Sequence, residues 1–295
     1  MQRTIEYLIT SKDTGKTILE FLKTQGYSRH ILSAMKNTGN AISLNGCPGF
    51  GRSILKKSDR LNILIPEDSR EEQSILPTRM ELSVLYEDED LMVINKPSNM
   101  PVHPSAGNYT NTLANGAAWY FAQKGQHLVF RCINRLDRDT TGALILAKNP
   151  LSAAILSAQM KARQIKRTYL ALVEGIPDKS GTINAPIARM EGSVITREVN
   201  FQTGEPAVTH YERLATGSLY SLIELHLETG RTHQIRVHLN YIGHPLPGDY
   251  LYHPDYRKIQ RQPLHSYQLE FTHPVTKKPM LFTAPVPDDF ISAFY

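Results

Sequence analysis

Apolar positions recur along this chain with two different periods, and the change from one to the other divides it. Ile18, Phe21 and Leu22 fall at the i, i+3, i+4 spacing of an amphipathic helix. Ile31, Leu32 and Met35 repeat the pattern behind Ser28, whose hydroxyl suits an N-cap, and Gly39 lies where a helix terminates. The period then drops to two. Ile42 and Leu44 alternate into the hairpin signal Asn45-Gly46, and a second strand fits residues 59–65. The order from Met1 to about Pro66 is therefore helix, helix, strand, turn, strand. Residues 67–79 are polar, proline-bounded and without periodicity, which predicts a connecting segment.

From about Met80 to the end at Tyr295, strand-like runs are interleaved with fewer helices. Residues 81–88 and 91–95 read as strands joined at an acidic turn, followed by a proline-stiffened loop, Lys96–Pro104. A helix fits Thr112–Gln123. The unbroken apolar run Ala143–Ala147 predicts a buried strand, and Asn149 with Pro150 supplies an N-cap and first position for a helix to about Ala162. Residues 166–175 alternate, with Tyr169, Ala171 and Val173 on one face and Leu170 and Leu172 on the other. Further strands fit 207–214, 221–228 and parts of 264–282, and a helix fits 233–242. The mixture predicts an α+β protein.

Composition narrows the class. With 41% apolar and 21% charged residues over 295 positions, the chain reads as globular. No run approaches the roughly 18 apolar residues of a membrane span, and the first residues lack the apolar core of a signal peptide, so a cytoplasmic location is expected. Cys47 and Cys132 stand alone without metal-ligand spacing, which predicts two reduced thiols and no zinc site. Net charge is +5, and its distribution is uneven. Between Arg131 and Leu170 eight basic residues face two acids, an excess of +6 in one segment that would steer a polyanion there.

That segment opens with Arg131–Gly142, which sets Asp137 among cations on a turn ahead of the buried run. A carboxylate on a loop braced by a rigid strand is well placed for chemistry, although Asp-Arg-Asp-Thr-Thr-Gly is also ordinary turn composition. Arg138 and Asp139 read as solvent-facing turn residues. His103, His233 and His238 read as hydrogen-bonding residues without a metal-site pattern.

Six collinear blocks after Met80 resemble the RluA-type RNA pseudouridine synthases, whose founding member modifies both ribosomal and transfer RNA. The blocks are Asn95–Pro104, Asn134–Gly142, Lys166–Gly175, Gly230–Leu239, Gly243–Asp249 and Leu264–Pro274. The family has His where this chain has Asn134 and Ser where it has Thr141; both replacements keep hydrogen-bonding capacity. The N-terminal pattern, with Tyr27–His30 and Ser43–Gly46, resembles the S4-like RNA-binding domain, in which two helices present basic side chains such as Arg29 and Lys36. The resemblance implies an S4-like domain over 1–66, a linker over 67–79 and a catalytic domain over 80–295. It implies for the latter a mixed, largely antiparallel central sheet flanked by helices, with a cleft across its middle. It further implies Asp137 as the catalytic aspartate, Tyr169 as the active-site tyrosine, Arg231 as the basic partner of Asp137, and Arg135 as the side chain that fills the gap left by a flipped base.

Isomerising uridine to its C-glycoside breaks the bond from ribose C1′ to N1 and joins C1′ to C5 of the same base, with no redox change, so no cofactor is expected. An ionised carboxylate can serve as nucleophile at C6 or C1′, or as base at C2′, and the sequence leaves these routes open. Arg231 beside Asp137 would keep the carboxylate ionised, and Tyr169 would stack the uracil and move the C5 proton. Lys166 and Arg167 would hold RNA phosphates. Ribosomal RNA is the favoured partner with transfer RNA open, and the chain is expected to act as a monomer. The competing readings are a non-catalytic RNA-binding or ribosome-assembly factor, and a hydrolase using Asp137 with Asp139.

Overall fold

The computed structural model describes residues 3–67 and 75–294; most of the expected connecting segment, 68–74, lies outside the described residues. The N-terminal unit runs β1 (Arg3–Leu8), α1 (Ile18–Thr24), α2 (Arg29–Asn37), β2 (Ile42–Leu44), β3 (Cys47–Pro48) and β4 (Arg60–Ile65). Thr17 and Glu20 form a reciprocal capping box on α1, and the Ser28 hydroxyl accepts from the Ile31 amide at the start of α2. The four strands form an antiparallel sheet in the order β1-β4-β2-β3. Strand β1 was not anticipated from the pattern of positions. Its inward residue Ile5 is buried because β4 lies in register beside it from Arg3↔Ile65 to Leu8↔Arg60.

The larger unit follows with β5 (Ser83–Glu87), β6 (Leu91–Lys96), α3 (Leu113–Gln123), β7 (Arg131–Cys132), β8 (Thr141–Ala147) and α4 (Pro150–Lys161). It continues through β9 (Lys166–Glu174), β10 (Ser180–Asn184), β11 (Ile187–Arg189), β12 (Arg197–Val199), β13 (Val208–Thr216) and β14 (Tyr220–Leu227). The chain ends with α5 (Gln234–Tyr241), β15 (Leu264–Thr272), β16 (Pro279–Thr283) and α6 (Asp288–Phe294). A ten-stranded mixed sheet has the path β10-β13-β14-β9-β15-β8-β6-β5, with β16 beside β15 and β7 beside β8. It is antiparallel except where β15 meets β8. The strands β11 and β12, three residues each, are too short for the periodicity to announce them, and β10 carries one apolar residue, Ile183, too few to set a period.

Burial follows the alternation. Tyr169, Ala171 and Val173 of β9 enter the main core with Leu144 and Leu146 of β8, whereas Leu170 and Leu172 pack with Tyr220 and Phe290 on the other side. Every residue of β8 is buried, as expected of a strand covered on both faces. Gly142 makes its parallel contact possible: φ is +107°, and a Cβ there would lie 2.2 Å from the Ser266 carbonyl oxygen. Helix α4 joins the two units. Its residues Leu151, Ala154 and Ile155 pack into the N-terminal core, and Arg3 forks onto Asp90 through Nε and Nη2, both at 3.0 Å. Asp90 in turn accepts from Asn149, the N-cap of α4, at 2.9 Å.

Candidate active site

The loop between β7 and β8 carries Asp137, and buried polar groups hold it in place. Asn134 donates to the Ala143 carbonyl at 3.2 Å and accepts from the Ile145 amide at 2.8 Å, stitching the start of the loop to β8. Thr141 meets His265 Nδ1 at 2.8 Å. Both positions that depart from the family pattern thus keep a bonding role. Lys96, at the end of β6, is wholly buried and donates to three carbonyls, those of Pro97, Met100 and Arg138, at 2.8, 2.9 and 2.7 Å. Burial pushes its amine down, to about 7, while Asp139 and Asp137 pull the other way. Lys96 therefore pins the Asp137 loop from beneath, a role the proline-loop reading of its block did not include.

Asp139 is corrected by the structure: it is buried, not solvent-facing. Its carboxylate takes Arg138 Nε and Nη2, and its carbonyl accepts from Arg261 Nη1 at 3.2 Å. The turn is anchored from inside by cations, so of the Arg138-Asp139 pair it is Arg138 that reaches the surface, where it lies over the Tyr250 ring at 5.1 Å.

The counter-ion of Asp137 is a second correction. Arg231 turns its guanidinium to Glu205 and to the Pro206 carbonyl, whereas Arg236 Nη1 meets Asp137 Oδ2 at 2.9 Å. Arg236 sits on the buried face of α5 and is itself held in a fork by Asp249, at 2.7 Å for both bonds, with the Tyr250 and Tyr252 rings at 5.5 and 5.1 Å. Two carboxylates outweigh the desolvation of its side chain and drive its ionisation above the usual range. The block containing Arg231 and Arg236 could not be resolved by spacing. The usable signal was Asp249 in the next block, a buried acid needing a cation from a buried helix face, where Ile235, Val237 and Leu239 surround position 236.

Above this pair lies a groove of about 1040 Å³ lined by Arg135, Asp137, Lys161, Arg163, Lys166, Arg167 and Arg231. A smaller pocket at its floor brings Asp137 together with Thr140, Tyr169 and Arg236. Tyr169 is buried, Asp137 keeps about a quarter of its side chain exposed, and Arg135 and Lys166 are exposed. His233 also lines the groove, while His238 is fully buried between Thr209 and the Ala185 carbonyl. Among the described residues two groups carry metal-type donors, Asp88 with Asp90 and His273, and Glu174 with His253 and Asp255. None of the six lines this groove, and Arg3 and Arg257 occupy Asp90 and Asp255.

A family model described as RNA pseudouridylate synthase matches residues 90–241, which span the Asp137 loop, Tyr169 and Arg236. The chain belongs to that family. It is an RNA pseudouridine synthase, an isomerase. Among similar proteins, the RNA pseudouridine synthase YhcT of Bacillus subtilis is 39% identical over 97% of this chain and 95% of its own length. Ribosomal large subunit pseudouridine synthase D of Neisseria meningitidis is 36% identical over 89% of this chain and 73% of its own. The solved structure of human RNA pseudouridylate synthase domain containing 1 superposes with a TM-score of 0.59 at 29% identity, covering 70% of this chain and 83% of that one. In this synthase Arg29 and Lys36 stand exposed on α2, away from the groove lining. Among the described residues no helix is long and apolar enough to cross a membrane.

Proposed function

We propose that this synthase isomerises uridine in large-subunit ribosomal RNA, with Asp137 as the carboxylate that acts on a flipped-out base. The observation that carries this reading is the pairing of Asp137 with buried Arg236 at the floor of a cation-lined groove, within reach of the Tyr169 ring. Arg236 keeps the carboxylate charged and oriented, as nucleophilic or basic work requires. Tyr169 stacks the uracil, and its phenol relays the proton lost from C5, releasing its own hydrogen as it accepts that one, while C1′ moves from N1 to C5 and N1 ends protonated. Arg135, exposed at the groove edge, fills the gap in the RNA stack. Lys166 and Arg167 contact phosphate, and Arg231 serves as a further groove cation rather than as the partner of Asp137. Thr140 Oγ1 and Arg167 Nε are buried without a partner, and both residues line the pocket with Asp137, which supports a polar substrate edge completing them.

The ribosomal target rests on relatives named for the ribosomal large subunit, among them the Neisseria protein and one from Nitrosomonas europaea that is 41% identical over 77% of this chain. In this reading residues 1–66 are an S4-like module that brings Arg29 and Lys36 to RNA, and the catalytic domain of residues 80–295 works in the cytoplasm without a cofactor. Mapping pseudouridines in total RNA from cells with and without the gene tests the target. Positions in large-subunit RNA should vanish in its absence and return with the wild-type chain but not with Asp137→Asn. Loss confined to transfer RNA would move the target there.

A further inference from the structure

His233 has a backbone conformation and a set of bonds that its place in α5 does not require. It precedes the helix in the left-handed region, at φ 59° and ψ 16°, which is costly for a residue with a Cβ and is tolerated where the surroundings impose it. As N-cap it makes no side-chain capping bond. Gln234 closes that turn instead, accepting from Thr229 Oγ1 and the Arg231 amide. The imidazole is thus free of any helix-ending duty and lies in the wall of the groove, its Nε2 4.0 Å from Asp137 Oδ2.

Its tautomer follows from a chain of hydrogen bonds. The Arg197 amide donates to the Tyr252 phenol oxygen at 2.9 Å, and that oxygen lies 2.9 Å from His233 Nδ1. If Nδ1 carried the proton, the half-buried phenol would accept twice and its own hydrogen would be left to solvent. With the phenol donating to Nδ1, all three groups are bonded within the protein, and the ring hydrogen sits on Nε2, facing Asp137. Burial also pushes the imidazole below its usual pKa, against the pull of Asp137 and together with Arg236, which keeps it neutral at pH 7.

We infer that His233 is a positioning residue for Asp137: its Nε2–H and Arg236 Nη1 both address Oδ2, so that Oδ1 is the oxygen presented to the uridine. At 4.0 Å the contact is poised and closes by about 1 Å to a hydrogen bond when substrate fills the groove, as catalytic contacts do on binding. The inference rests on Asp137 being the reacting carboxylate.

Two variants separate the positioning role from a structural one. Asn tolerates the left-handed backbone, and its amide oxygen falls near Nδ1 to take the Tyr252 proton, but it is too short to reach Asp137. Gln places its amide nitrogen near Nε2. With total RNA tritiated at uracil C5 from cells lacking the gene, the tritium-release rate at saturating enzyme should fall about tenfold to a hundredfold in His233→Asn, the loss of one bond to a charged group. The enzyme concentration giving half that rate should stay as in wild type, and His233→Gln should recover most of the rate. A wild-type rate in His233→Asn, or a Gln variant as slow as Asn with both melting like wild type, overturns the role. Should His233→Asn melt early, Tyr252→Phe decides: it releases the tautomer and should slow the rate severalfold, and an unchanged rate overturns the inference. A silent Asp137→Asn beside a full-rate His233→Asn removes only the role of His233, whereas an active Asp137→Asn removes the assignment of Asp137 itself.

Discussion

The molecule holds two sets of cation–carboxylate pairs around one groove, and they differ in burial. Arg236, with 1% of its side chain exposed, is shared between Asp137 and Asp249. Arg231 on Glu205, Arg163 on Glu228 and Lys166 on Glu270 stand at the rim with 38–71% of the cation exposed. Water screens the rim pairs, so each is worth at most about 1 kcal/mol and yields readily to an RNA phosphate. The pair on the floor cannot be exchanged in that way. Removing one partner leaves a buried charge uncompensated, at a cost of about 3–5 kcal/mol. The rim can therefore be a place to bind and the floor a place to hold one carboxylate still.

Arg236→Met puts the greatest load on this contrast. It should cost about 3–5 kcal/mol in chemical denaturation and abolish measurable tritium release, because Asp137 and Asp249 lose their cation together. A variant with wild-type stability would show that the floor behaves like the rim. Lys96→Met sharpens the same point through pH. Folding pulls Lys96 from near 10.5 to about 7, so between those values the unfolded chain binds more protons. Wild-type stability should consequently rise with pH from about 7 to 10.5, by on the order of a few kcal/mol, and the variant should lack that part of the rise. Parallel stability curves for the two proteins would contradict it.

Rim changes should be milder. Arg231→Ala should alter stability by less than about 1 kcal/mol, weaken RNA binding and lower the slope of log affinity against log salt by about 0.7–0.9, leaving the rate at saturation near wild type. A collapse of that rate would return Arg231 to the side of Asp137. Arg29→Ala with Lys36→Ala should be smallest, a loss of RNA affinity of a few fold in a filter-binding titration, without change in the saturated rate.

Much of this arrangement is legible in the sequence. The alternation of Tyr169, Ala171 and Val173 against Leu170 and Leu172 placed β9 with both faces correctly assigned, since a period of two admits one orientation once one face is known. Asn149-Pro150 marked the start of α4 for a local reason, the cap itself. The cation beneath Asp137 was not legible, because Arg231 and Arg236 share a motif and their difference is made by α5 turning one inward. Nor was the burial of Asp139, whose turn is pinned by Lys96 and Arg261 from distant parts of the chain. Strand β1 carries a short alternation at Ile5, Tyr7 and Ile9, but its place at the sheet edge is fixed by its pairing with β4, a contact across more than fifty residues. What stayed hidden was in each case decided by tertiary partners.

The central claim is that the Asp137 carboxylate, held by Arg236, carries the reaction. Tritium release from C5-labelled RNA by Asp137→Asn tests it most directly, since Asn keeps the shape and a hydrogen-bonding oxygen while removing the charge. The account predicts no release above background from a chain that melts like wild type and still binds RNA. Release at the wild-type rate would contradict it.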